Sequence, residues 1–324
     1  MLRKVGFIAA AALVWSVAVA AAQGQFPNKP IRLIVPQAPG SATDTVARIL
    51  GAELSKELGQ QIVVDNRPGG ALTIGLDLTA KADPDGYTIC MGPVGALAIT
   101  RHMVAKLPYD IERDFQPIAL LTRGHLLLAV SPKSSIRSVK DLIEEAKKNP
   151  GKLTNASSAN GSPGHVGGEL FKFMTDTKIV HVPYRGGALA INDLIAGHVQ
   201  LGALGSTPLI PHYKAGKLLL LAQTTEARAQ SLPDVPTFQE AGIKGLVLDQ
   251  WLGIFVPAGT PAAIVARLNA ETGKALNDAA IRKSFSDSAL EPVGGSADAF
   301  ARLVREDFAK YERLVRELKI KAQQ

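Results

Sequence analysis

Short apolar runs bounded by glycine, proline or asparagine alternate along this chain with stretches in which apolar residues return every three or four positions. Ile31 to Pro36, Ile62 to Asp65 and Tyr87 to Met91 have the length and composition of buried strands. Between the first two, Val46, Leu50, Leu54 and Leu58 mark one face of a helix. A weaker helix is expected over Ala71 to Ala82. This alternation predicts βαβ units, and hence an α/β protein whose mostly parallel sheets are flanked by helices.

One segment breaks the rhythm. Pro117 to Ser131 is too long for an ordinary strand and continues through Arg123-Gly124, so it predicts a strand that crosses from one lobe to another. The alternation then resumes, with helices over Ser138 to Lys148, Gly164 to Thr175 and Gly187 to Ala196. Strands are expected at Ile179 to Pro183, Val199 to Leu204 and Leu218 to Gln223, and Asn155 to Ser162 reads as a loop. Leu246 to Val256 is the return strand. Beyond it Thr260-Pro261 opens a helix, and a long amphipathic helix carries Phe300, Val304, Phe308, Tyr311, Val315 and Leu318 on one side. The expected division is a leader over 1–22, a first lobe of 23–123 plus 252–324, and a second lobe of 124–251. Two crossing strands act as hinges, and the cleft between lobes is the natural ligand site.

The leader rests on Arg3 and Lys4 ahead of the apolar run Val5 to Ala20 and the small residues Ala18 to Ala22. That order is the pattern of a secretory signal, cleaved near Ala22, and it predicts a periplasmic protein. What remains is long enough for two domains of ordinary size. The single cysteine, Cys90, excludes an internal disulfide and a multi-cysteine zinc site. The net charge is +7, and Arg3 and Lys4 account for two of it, leaving +5. These charges are mixed with acids, as in Glu144 to Lys148, and form no basic stripe interleaved with aromatics, so nucleic acid is not an expected partner.

Three glycine-rich polar loops follow strands and precede helices: Pro36 to Asp44, Arg67 to Gly70, and Ser157 to His165. Amide groups at a helix N-terminus form a ready anion site. The first and third fall one in each lobe, at strand ends that would face the cleft. The second reads equally as a plain turn. Enzymatic patterns are absent: there is no G-x-G-x-x-G, P-loop or G-x-S-x-G. Ser162 and His165 have the spacing of a helix cap and a side chain one turn on, although an exported hydrolase using that pair is the rival from another class. His165 and Glu169 lack a third ligand for a metal, and His181 reads as a core histidine.

Seven segments in order carry a further signal: Phe26 to Pro36, Asp65 to Gly70, Pro84 to Thr88, Leu107 to Asp110, His181 to Gly186, Leu232 to Thr237 and Pro257 to Pro261. Together they resemble the solute receptors of tripartite tricarboxylate transporters, the Bug receptors, over nearly the whole mature chain. The resemblance implies a two-lobed periplasmic binding protein of type II, the Venus flytrap. It also implies a carboxylate ligand held by backbone amides, hydroxyls and water, with the membrane components of such a transporter as partners. A monomer without cofactor or catalytic residue is expected. The family's first loop, P-F-x-P-G-G-x-x-D, is matched by Gly40 and Asp44, whereas Gln37 and Ser41 depart from it. Its second-lobe loop, S-S-G-x-G-S-x-x-H, is matched by Ser157, Ser158, Gly161, Ser162 and His165, with Ala159 departing. Gly202 to Ser206 lacks the acidic residue often found there. The expected ligand-binding set is therefore Gln37, Ala38, Gly40, Ser41 and Asp44 from one lobe, with Ser158, Asn160, Gly161, Ser162, His165, Arg185 and Ser206 from the other. A receptor reporting to a sensor protein would use the same site.

Overall fold

The computed structural model describes residues 26–104 and 106–320; the expected leader lies outside them. The first strand, β1 (Ile31–Val35), is followed by α1 (Ala42–Leu58) and β2 (Ile62–Asn66). Ser41 caps α1 by accepting a hydrogen bond from Asp44 N, and Gly59, in the left-handed region at φ 65°, ends it. The helix buries the predicted face of Val46, Leu50, Leu54 and Leu58, each such leucine contributing roughly 1.5–3 kcal/mol. Next come α2 (Thr73–Ala80), β3 (Thr88–Pro93), a turn of π-helix over Gly95–Ile99, the short α3 (Ile111–Asp114) and β4 (Phe115–Val130).

β4 is a 16-residue strand that belongs to two sheets. From Phe115 to His125 it pairs antiparallel with β9 (Asp249–Pro257), and from Leu126 to Val130 with β7 (Leu201–Gly205). The first sheet runs β2-β1-β3-β9-β4. Within it β1, β2 and β3 are parallel, and the crossing strands β9 and β4 are antiparallel to their neighbours. In the second sheet β7, β5 (Thr154–Ser157) and β6 (Val180–Pro183) are parallel. β8 (Leu219–Gln223) lies against the far half of β4.

Helices α4 (Val139–Lys148), α5 (Pro163–Thr175), α6 (Gly187–Ala196) and α7 (Ser206–Lys214) belong to the second lobe. The chain returns through β9 and ends with α8 (Ala262–Asn277), α9 (Ala279–Asp287), the two-residue β10 (Glu291–Pro292) and α10 (Ala297–Glu317). The last helix buries Phe300, Val304, Tyr311 and Val315 against the first lobe. Trp251 of β9, fully buried, donates from Nε1 to Asp307 of that helix at 2.5 Å.

β5, α7, α9 and the π-turn are elements that the hydrophobic pattern does not announce. β5 consists of Thr-Asn-Ala-Ser, and its buried polar side chains, Asn155 and Ser157, each find a partner. Asn155 Oδ1, for example, accepts from Ala203 N at 3.1 Å.

Candidate functional site

The C-terminal ends of β1, β5, β6 and β7 each lead into a helix, so several helix N-termini open toward the boundary between lobes. The lobes touch there. Ala38 N donates to Arg185 O at 3.1 Å, and a methyl group on Gly40 would sit 3.3 Å from Ala188 Cβ. A methyl group on Gly95 would meet Gly161 O at 2.8 Å. One apolar cluster spans the boundary, joining Leu72, Val94 and Leu97 to Ala159 and Val166. The cleft is shut in this structure.

In the first lobe Gly40 adopts φ 78°, a left-handed turn that lets the backbone pass close to Ala188. Its N–H donates to Asp44 Oδ2 at 2.8 Å, and Asn66 Nδ2 donates to Asp44 Oδ1 at 2.9 Å. Arg48 Nε lies 3.1 Å from Oδ2. Burial alone would raise the Asp44 pKa, but the bonds from Arg48, Gly40 and Asn66 outweigh it and hold the carboxyl below its ordinary range. Asp44 therefore shapes the loop from beneath. Gln37 is buried rather than turned to solvent; its Oε1 accepts from Thr43 Oγ1 at 2.5 Å, and its carbonyl accepts from Asn66 at 2.9 Å. Ala38, Gly40 and Ser41 form the rim. The first-turn amides of Ala42 and Thr43 have no carbonyl within the helix to bond.

In the second lobe Ser162 caps α5, accepting from His165 N at 3.3 Å, with Pro163 at the first helical position. Gly161, at φ 72°, donates its N–H to His165 Nδ1 at 3.3 Å. Ser158 is half-buried, as is Asn160, and Arg185 is exposed. Ser206, at the start of α7, gives its hydroxyl to Ala289 O of the first lobe at 3.2 Å. The hydroxyl thus tethers the lobes to one another.

The Ser162–His165 pair is not arranged as nucleophile and base. The serine oxygen faces the backbone N–H of His165, and the ring nitrogen on that side is engaged by Gly161. The serine that does meet a histidine is Ser157, whose Oγ lies 2.7 Å from His181 Nε2 in a buried setting. His181 in turn stacks on His165, with ring centroids 3.8 Å apart. Burial pushes His165 down to about 4, with Lys172 adding to the effect. Burial, then His165 and Lys172, push His181 down to about 3. His165 Nε2 is 3.9 Å from Glu169 Oε1, and among the described residues no group of three or more His, Cys, Asp or Glu could hold a metal ion. Sequence reasoning placed Ser157 in the loop motif and His181 in the core without linking them. Their 24-residue separation leaves no local signal.

Comparison with known proteins places the chain in a family. A family model described as the tripartite tricarboxylate transporter family receptor matches residues 46–320. BugT of Bordetella pertussis is 33% identical over 293 residues, covering 90% of each chain. The R. palustris protein Rpa4515, solved with adipate, superposes with a TM-score of 0.90 at 35% identity and covers 92% of this chain and 100% of its own. MatC of Rhodopseudomonas palustris, solved with bound malate, gives a TM-score of 0.86 at 31% identity, over 90% and 100% of the two chains.

Proposed function

Since the chain belongs to the tripartite tricarboxylate transporter receptor family, whose members are Bug-type periplasmic solute-binding proteins, we propose that it captures a small aliphatic dicarboxylate and delivers it to the membrane components of such a transporter. The observation that carries this reading is that glycine-rich helix starts close on the opposite lobe at two places: the Ala38 to Ser41 turn before α1 lies against Arg185 to Ala188 at the start of α6, and Gly161 and Ser162, before α5, lie against Gly95 and Thr100. Helix-end amides and hydroxyls stabilise a carboxylate without a buried arginine. Relatives crystallised with adipate and malate support the ligand class.

In this proposal Ala38, Gly40, Ser41, Ser158, Asn160, Gly161, Ser162 and Arg185 face the ligand, while Gln37 and Asp44 hold the first loop in shape. The lobes divide at 123/124 and 251/252, where β4 and β9 cross. The mature monomer works in the periplasm and begins near Gln23; N-terminal sequencing of the exported protein that found Met1 in place would refute this part. Closure follows from a higher affinity for the shut form.

Calorimetry with adipate, malate and a panel of monocarboxylates tests the central claim. Ser162→Ala is expected to weaken binding of the preferred acid by about 1–3 kcal/mol, the cost of losing a donor to a desolvated charge. Thermal unfolding is read separately, because the lost cap removes about 1 kcal/mol of stability. No binding by any member of the panel, or unchanged affinity in the variant, would place the site elsewhere.

A further inference from the structure

Beneath the second-lobe loop the hydrogen-bond network settles the protonation of two histidines. A serine hydroxyl has one proton to give. Ser157 Oγ gives it to Ala159 O at 2.9 Å, so the 2.7 Å contact with His181 is donated by the imidazole Nε2–H. His181 is then the Nε2–H tautomer, and its Nδ1 is buried without a hydrogen-bond partner among the described residues. His165 Nδ1 accepts from Gly161 N, so its proton also sits on Nε2. The two neutral rings lie face to face, 3.8 Å apart and 7° from parallel.

We infer that Ser157, His181 and His165 are positioning residues that act as one unit, holding the Gly161 amide and the Ala159 carbonyl, and with them the Ser158 to Ser162 rim, in ligand-binding geometry. The inference rests on the reading of that rim as a carboxylate site. It reassigns His165 from ligand contact to loop support.

The unit works only while both rings are neutral. A proton added to His165 must go to Nδ1, where the Gly161 N–H already points, so protonation and the loop contact exclude each other. Burial opposes positive charge on both histidines, Lys172 adds to it for His165, and His165 and Lys172 add to it for His181. Glu169, at 3.9 Å, is the acid facing His165, and Lys172 Nζ binds the same Glu169 Oε1 at 2.7 Å. Burial keeps both rings neutral through the neutral range, so the loop is locked there and freed in acid.

Two measurements test this, one of them without ligand. Nitrogen-15 NMR of the mature protein at pH 7 is expected to show both rings as Nε2–H tautomers and slow hydrogen exchange at the Gly161 amide; an Nδ1–H or charged His165 would overturn the inference. Adipate calorimetry then compares His165→Leu, which removes the acceptor, with His165→Asn, whose Oδ1 takes the place of Nδ1. The leucine variant is expected to bind about tenfold more weakly and to exchange Gly161 quickly, the loss of one hydrogen bond at a charged site. The asparagine variant should recover most of the affinity and the slow exchange. Equal losses in both would mean that the ring touches the ligand, and no loss in either would mean that it only fills space. Ser157→Ala gives the same reading from the other end should the leucine variant fail to fold. If wild-type protein ignores adipate, the dicarboxylate reading falls, while tautomer and exchange still decide the positioning role.

Discussion

Asp44 is an acid whose charge is used up inside its own loop: both carboxylate oxygens are consumed by Gly40, Asn66 and Arg48. Asp44→Asn turns one acceptor into a donor aimed at other donors, and it is expected to cost about 1.5–3 kcal/mol of stability by urea denaturation. The histidines respond to pH in a different window from Asp44. His125, His165 and His181 are pushed down by burial to about 4, 4 and 3, whereas an unfolded histidine titrates near about 6.5. The unfolded chain therefore binds protons first as pH falls. Stability is level with respect to these groups above about pH 6.5 and declines from there towards pH 4 and 3. Asp44, with its lowered pKa, adds a further loss only below about pH 4, where an unfolded aspartate begins to protonate. Urea midpoints measured from pH 8 to 4 check this; a midpoint unchanged between 6.5 and 4.5 would mean that the native rings take up protons as the unfolded chain does, and so are solvated.

At the scale of elements, the start of α5 is set by close packing. Gly164 lies against β7 so tightly that an added methyl group would run into the Ala203 carbonyl. Gly164→Ala should destabilise by about 1–3 kcal/mol through overpacking and weaken ligand binding by shifting the helix end. Gly273→Ala on α8, where nothing lies within 4 Å, should instead stabilise by about 0.5–1 kcal/mol; paired thermal melts read both. Much of the fold is legible in the sequence because β1, β2, β3, α1 and α6 advertise themselves through period and bounding turns. β5 does not, since its buried Asn155 and Ser157 are satisfied by partners distant in sequence. α7 carries Pro208 and Pro211, which read as breakers. The two candidate loops are legible from their glycines and caps. The interior roles of Gln37, Asp44 and His165 are not, because whether a polar side chain points to a ligand or to its own backbone depends on tertiary neighbours.

For the molecule as a whole, the contacts between Gly40 and Ala188 and between Ala38 and Arg185 define the shut form. Ala188→Trp puts an indole where the loops meet and should hold the lobes apart. In small-angle scattering the wild-type radius of gyration is expected to shrink on adding adipate. The variant should stay extended and bind at least about tenfold more weakly, since its competent state is depleted, while its melting temperature without ligand stays close to wild type. A variant that still closes would move the ligand contact away from this rim.

β9 lies between β3 and β4 in the first sheet, yet more than a hundred residues separate it from β4 along the chain. A chain emerging from its N-terminus therefore presents β1 to β3 with the neighbour of β3 still missing. The second sheet, from the far half of β4 through β8, is by contrast contiguous in sequence. It can close first, and the early strands must wait with an open edge until Asp249–Pro257 slides in between them. The last quarter of the polypeptide is the keystone of the first lobe, and a chain cut short before it would leave that lobe unable to finish folding.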